Sequence, residues 1–254
     1  MRSIEEIYDE LNDLAASGDW EKIETFLCGC MDKAKEEEAY GIYLAVGNEL
    51  LCFYRETEQF DRAFGLSEDL LLLMEEFHLE ESESFACVMI NTAAAYNGAG
   101  DFREALHFYR RAVQILERKK ESQGLLARIL TEMALTMPKT GEETEAEGLL
   151  KRAVGLFENR PEDDGDVLGR AEADIYYVTA LSGLGEAAWK REEKERALAF
   201  YEKAARVSGR IGENAGTKVL WENCAVLARM LGDEEKEQRY RDASAVCPPS
   251  GTLT

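Results

Sequence analysis

Small residues recur in this chain at one spacing, and that spacing leaves few folds open. Ala93 is followed twelve residues later by Ala105, and seven further on by Ala112, within a stretch of strong helix formers. The same two steps give Leu11/Ile23/Cys30, Leu51/Ala63/Leu70, Ala134/Ala146/Ala153, Gly185/Ala197/Ala204 and Ala225/Glu237/Ser244. Successive units start 40, 42, 41, 51 and 40 residues apart. A bulky apolar residue would bury more surface at each alanine, so the alanines are there for a close approach of two backbones. Between first and second slot lies a break: Ser17-Gly18-Asp19, Glu58-Gln59, Gly100-Asp101, Thr140-Gly141, Glu192-Glu193 and Leu231-Gly232-Asp233.

Each unit therefore reads as helix, short turn, helix. Glycine at the break supplies the positive φ that ends one helix. Asp101 and Thr140, each with a glutamate three residues later (Glu104, Glu143), are placed to cap the next. Small residues let two axes approach at the short end of the ~8–10 Å range, and Tyr96, Tyr109 and Tyr201 flank those crossings to fill the space. Only four prolines occur, which suits a mostly helical chain.

These residues resemble the tetratricopeptide repeat family. The third unit matches best, with Ala93, Tyr96, Gly100-Asp101, Ala105, Tyr109 and Ala112. The fourth follows with Ala134, Gly141, Ala146 and Ala153, the fifth with Leu184-Gly185, Ala197, Tyr201 and Ala204, and the sixth with Trp221, Ala225 and Gly232-Asp233. Units one and two carry Leu11 and Leu51 where a small residue is usual. A period near 40 exceeds the family's common 34-residue repeat and is similar to the longer repeats of kinesin light chains and bacterial peptide-sensing regulators. The resemblance implies an all-α fold: a right-handed α-solenoid of about six helix-turn-helix repeats, at residues 4–37, 44–77, 86–119, 127–160, 178–211 and 218–246, forming one domain over 3–246. The last helix, EEKEQRYRDAS, is polar and reads as the cap a solenoid end needs.

The 51-residue interval holds NRPEDDGDVLGR, residues 159–170, read as a loop insertion that is either a hinge or a binding element. A calcium loop there fails on spacing, because the sixth residue after Gly165 is Ala171 and not glutamate. The segment 247–254, CPPSGTLT, is expected to be a disordered tail.

The charge balance, 30 Lys+Arg against 51 Asp+Glu, gives −21 with no basic stripe, which argues against nucleic acid and anionic membrane as partners. The longest apolar run, Leu70 to Met74, falls far short of the ~18 residues of a membrane span. Nothing like a signal peptide precedes Ser3, so a soluble, cytoplasmic, bacterial-like protein is expected. Six cysteines lack C-x-x-C spacing and read as free, core-filling thiols; no metal is implied. His78 and His107 have no partner in the sequence for general-base chemistry, and no nucleotide, zinc-protease or nucleophile-elbow motif occurs. Glutamate runs such as Glu36 to Glu38 read as solvated faces. No enzyme and no cofactor is implied.

What the resemblance implies is a protein or peptide segment held in a concave groove lined by the first helix of each pair. Asparagines suit such a groove because an amide offers donor and acceptor together to a peptide backbone. Asn48, Asn91 and Asn223 stand two or three residues before the small slot, where other units have Tyr8, Thr131 and Ser182. Just past the slot, Asn12, Arg55, Asn97, Trp189 and Arg229 are further groove candidates, with Arg128 near its helix start. Arg55, Arg128 and Arg229 can hold a ligand carboxylate bidentately, or pair with local glutamates such as Glu56 and Glu132. The lysine–asparagine clamp of chaperone-binding repeats is absent. Three readings follow: a non-catalytic binding scaffold; a peptide-responsive sensor whose superhelix changes curvature; and, compatible with both, self-association through an end repeat.

Overall fold

The computed structural model describes residues 2–160, 170–212 and 214–247, with the backbone alone for 170–173. Among these residues there are twelve α-helices and no strand. They are α1 (Ile4–Ser17), α2 (Trp20–Glu36), α3 (Tyr40–Glu56), α4 (Phe60–Glu76), α5 (Glu83–Ala99), α6 (Phe102–Leu116), α7 (Gln123–Thr136), α8 (Glu143–Glu158), α9 (Arg170–Lys190), α10 (Lys194–Ile211), α11 (Ala215–Met230) and α12 (Glu234–Ala245). The expected breaks fall in the short turn inside each pair. Most of the 159–170 insertion, residues 161–169, and the tail beyond Cys247 lie outside the described residues.

Five of the six turns inside the pairs share one hydrogen-bonding pattern, which explains why they recur. At the end of α5, the Asp101 N–H donates to the Tyr96 carbonyl at 2.9 Å and the Gly100 N–H to that of Asn97 at 3.2 Å. Those bonds satisfy orphan carbonyls of the helix end and require a left-handed residue, here Gly100 at φ 85. Where glycine is absent the geometry persists: Glu58 and Glu192 adopt φ 57 and φ 62 at the ends of α3 and α9. Asp101 caps α6 as expected, accepting from the Glu104 N–H at 3.4 Å, and Asp19 and Asp233 cap α2 and α12 in the same way. Thr140 does not cap. It ends a 3₁₀ turn, Met137–Thr140, and its hydroxyl donates to the Met137 carbonyl, so α8 starts after Glu142 without a side-chain cap.

The chain divides into two compact units, Met1–Ile115 and Leu116–Thr254. In the first, α3 packs on α2, α4 and α5, and α4 on α5. Ala63, Ala93, Ala105 and Ala112 are wholly buried. Phe64, Tyr96 and Phe108 form a stack, with centroids 4.2 Å and 5.5 Å apart, beside the small residues that make room for it. Packing in the second repeat has a different small residue from the one the spacing suggests: Leu51 is buried as a leucine, and the close approach is one turn earlier at Gly47. A Cβ there would meet Leu70 Cδ2 at 2.6 Å and Met31 Cε at 3.3 Å.

In the second unit, α7 packs on α8 and α9, α9 on α8 and α10, and α11 on α10 and α12. Ala153, Ala197 and Ala204 are wholly buried, and Gly185 lies where a Cβ would sit 2.9 Å from the Tyr201 ring. The final helix α12 buries Tyr240 and Ser244, with Tyr240 stacked on Trp221 at 5.6 Å. Its other positions are mostly charged. Of the cysteines, all free, Cys224 and Cys247 are buried and the other four half-buried.

Candidate functional site

The first helices of the pairs carry the candidate residues, and in the first unit the fold gathers several of them. The Asn91 amide, at the centre of α5, donates to the Asn48 side-chain oxygen at 2.9 Å and accepts from Arg55 Nη1 at 3.3 Å. Asn48 and Arg55 lie seven residues apart on α3, on one face of the helix. Asn91 is largely buried and Arg55 keeps about a fifth of its side chain exposed. Arg55 Nη2 also bonds Glu56 Oε1 at 2.9 Å.

Beside this network lies a cavity of about 330 Å³. Tyr8, Asn48, Ser82 and Ser84 give it polar groups, and Leu44, Met74 and Leu79 are among its apolar walls. A mostly apolar recess with a few fixed polar groups is the usual form of a binding site. Tyr8 connects it to a residue that the asparagine pattern passed over, Glu49. Burial pushes the Glu49 carboxyl up from its ordinary value, the neighbouring Glu56 adds to this, and the Tyr8 hydroxyl opposes it as a donor. The Tyr8 phenol is raised in turn, first by burial and then by Glu49. Asn12 is exposed on α1, and Asn97 is half-buried near the end of α5.

In the second unit the candidates do not form one network. Arg128 Nε bonds Glu132 Oε1 at 3.2 Å, and the guanidinium lies 5.0 Å from the Tyr176 ring centroid. The other Glu132 oxygen is buried with no hydrogen-bond partner. Thr131 is wholly buried, with its hydroxyl donating to the Ala127 carbonyl, so this side chain reaches no groove. Ser182 is half-buried and back-bonded to the Val178 carbonyl at 2.8 Å. Trp189 is exposed, Asn223 is half-buried, and exposed Arg229 lines a small recess of about 160 Å³ with Glu222, Glu237 and Arg241. Of the two options for the arginines, Arg55 and Arg128 take the local one and pair with Glu56 and Glu132.

His78 sits exposed in a left-handed turn at φ 56 after α4, and exposed His107 lies edge-on to Phe108. Among the described residues no group of three or more His, Cys, Asp or Glu is placed to hold a metal, and no helix is long and apolar enough to cross a membrane.

Comparison with known proteins agrees with the fold. The family model for the tetratricopeptide repeat matches residues 53–118, about a quarter of the chain, running from the end of α3 through the best-formed repeat. No curated protein matches the chain. Among solved structures, BtubC (BKLC) from P. vanneervenii is similar at 18% identity and a TM-score of 0.68, over 93% of this chain and 96% of that one. The nearly identical TPR-like repeats of a Podosopora anserina protein assigned as a kinesin light chain align at 18% identity and 0.59, over 80% and 92%. The apo form of the quorum sensor NprR from B. thuringiensis aligns at 15% identity and 0.62, over 92% of this chain but 62% of NprR. Residues 53–118 are tetratricopeptide repeat by sequence, and the helix pairs around them share the fold of these solved structures, as the small-residue slots imply.

Proposed function

We propose that the chain is a non-catalytic scaffold that binds a peptide or protein segment along the first helices of its pairs. The observation that carries this reading is the Tyr8–Asn48 cavity beside the Asn48–Asn91–Arg55 network. Asn48 and Asn91 bond each other once, which leaves amide donors and acceptors to spare for an extended backbone. The cavity takes a side chain next to them. Arg55 holds Asn91 in place, so part of the ordering cost is met before a ligand arrives. Asn12 and Asn97 extend the same surface on α1 and α5, and Asn223, Ser182, Trp189 and Arg229 supply candidate contacts in the second unit.

The test is capture of peptide from an array by the wild type and by an Asn91→Ala/Asn223→Ala double variant. The reading requires binding to fall while thermal stability holds. Binding that is unchanged moves the site away from these helices.

A second reading is a peptide-responsive sensor whose helix pairs change curvature on binding. The likeness to the quorum sensor NprR favours it. A sensor must change shape, so identical scattering profiles with and without a bound peptide refute this version and leave the scaffold reading intact.

A further inference from the structure

Two residues before the small slot of each first helix stand Asp9, Glu49, Asn91, Glu132, Gly183 and Asn223. In the scaffold reading this is the position from which Asn91 faces a ligand, so the carboxylates in the same register have the same role. Glu49 is the informative one. It is half-buried on α3, next in sequence to Asn48, and among the described residues it pairs with no cation. The nearest arginine on its helix, Arg55, is directed at Glu56 and Asn91 instead. Its neighbours are the Tyr8 hydroxyl, which donates, and Glu56, which repels. In the other unit, independently, Arg128 takes one oxygen of Glu132, and the second oxygen is buried with no partner.

A carboxylate withdrawn from water without a charged partner is costly, and a fold retains one most readily where something else completes it. A metal is a poor candidate, because no cluster of three ligating side chains is present among the described residues. An acidic segment is worse, since it adds to the repulsion of Glu56 and of a chain with net charge −21. We propose that the ligand is a basic peptide, an extended segment with a lysine or arginine whose cation pairs with Glu49 next to the Tyr8–Asn48 cavity. The ammonium or guanidinium supplies the cation that Glu49 lacks, and the amides of Asn48 and Asn91 take the peptide backbone. The acidic field of the whole chain speeds encounter with such a ligand, more so at low salt.

This inference rests on the peptide-binding reading, and one experiment separates the two. Fluorescently labelled nonapeptide pools, random except for one central residue fixed as Lys, Arg, Glu or Ser, are titrated by anisotropy against the full chain. The wild type, Glu49→Gln, Asn91→Ala and the exposed control Glu36→Gln are compared, with Asn48→Ala as a second amide variant should Asn91→Ala unfold. The expected result is tightest binding of the Lys and Arg pools, a loss of about tenfold in Glu49→Gln for those pools alone, and no change in Glu36→Gln. Equal or tighter binding of the Glu or Ser pools overturns the inference, as does full retention of Lys and Arg binding by Glu49→Gln. If the amide variants still weaken every pool, the groove reading survives that result. If they weaken none, or no pool binds, both fall.

Discussion

Replacing Gly47 with alanine tests the close approach on which the helix pairing depends. In the interior of an ordinary helix, Gly→Ala stabilises by about 1 kcal/mol, because glycine has more backbone entropy to lose. At Gly47 the new methyl would lie 2.6 Å from Leu70 Cδ2, 3.2 Å from Leu70 Cδ1 and 3.3 Å from Met31 Cε. Leu70 is wholly buried, so its tip has little room to rotate away. Overpacking of this kind costs about 1–3 kcal/mol. The two effects oppose each other, and the variant should range from roughly neutral to destabilised by about 2 kcal/mol. Gly65 in α4 is the control: it is exposed and nothing lies within 4 Å of a Cβ there, so Gly65→Ala should gain the full ~1 kcal/mol. Urea denaturation followed by far-ultraviolet circular dichroism should thus place the two variants about 1–3 kcal/mol apart. Equal stabilisation of both would show that α3 and the Leu70 side chain do not approach at Gly47, and the pairing of α3 with α4 would have to be redrawn.

Glu58→Gly and Glu192→Gly remove a left-handed non-glycine residue, which costs about 1–2 kcal/mol, at the expense of glycine's larger unfolded-state entropy; each should be neutral to about 1 kcal/mol stabilising in the same denaturation assay. Asp233→Ala removes the cap at the start of α12, where the carboxylate accepts from the Lys236 N–H at 3.0 Å, and should lower stability by about 1 kcal/mol, with Asp233→Asn largely preserving it. Arg191 and then Lys151 hold the Glu147 carboxyl down at about 2. A depressed carboxylate contributes stability that is present above its unfolded value near 4.5 and lost as pH falls toward 2, so Glu147→Gln should flatten the melting temperature over that window. Glu49 has the opposite sign: its folded value is raised by burial and by Glu56, so its charge costs stability above the folded pKa and costs none once it is protonated. Glu49→Gln should therefore raise the melting temperature at pH 7 and change it little at pH 4.

The helix pairs, their turns and the polar end helix were legible in the sequence because each depends on neighbours within a few residues. A left-handed turn residue, an aspartate placed to accept from the third N–H, and alanines at the period of a helix all act locally, so order in the chain is order in space. The same locality shows where sequence reading stops. Nothing within five residues tells that Glu58 takes the conformation of Gly100, since packing of α3 on α4 holds the turn shut whatever occupies it. Nor does the spacing distinguish Leu51 from Gly47 as the point of contact, because that depends on where Leu70 points from the next helix. The candidate site divides in the same way. Asparagine two or three residues before the slot was visible, but the Asn48–Asn91–Arg55 network joins residues 36 and 43 positions apart. The burial of Thr131 and the lack of a cation beside Glu49 follow from what other helices bring alongside. Local hydrogen bonds and steric size are properties of residue order. Desolvation and charge pairing depend on which distant atoms exclude the water, and only the packed helices determine that.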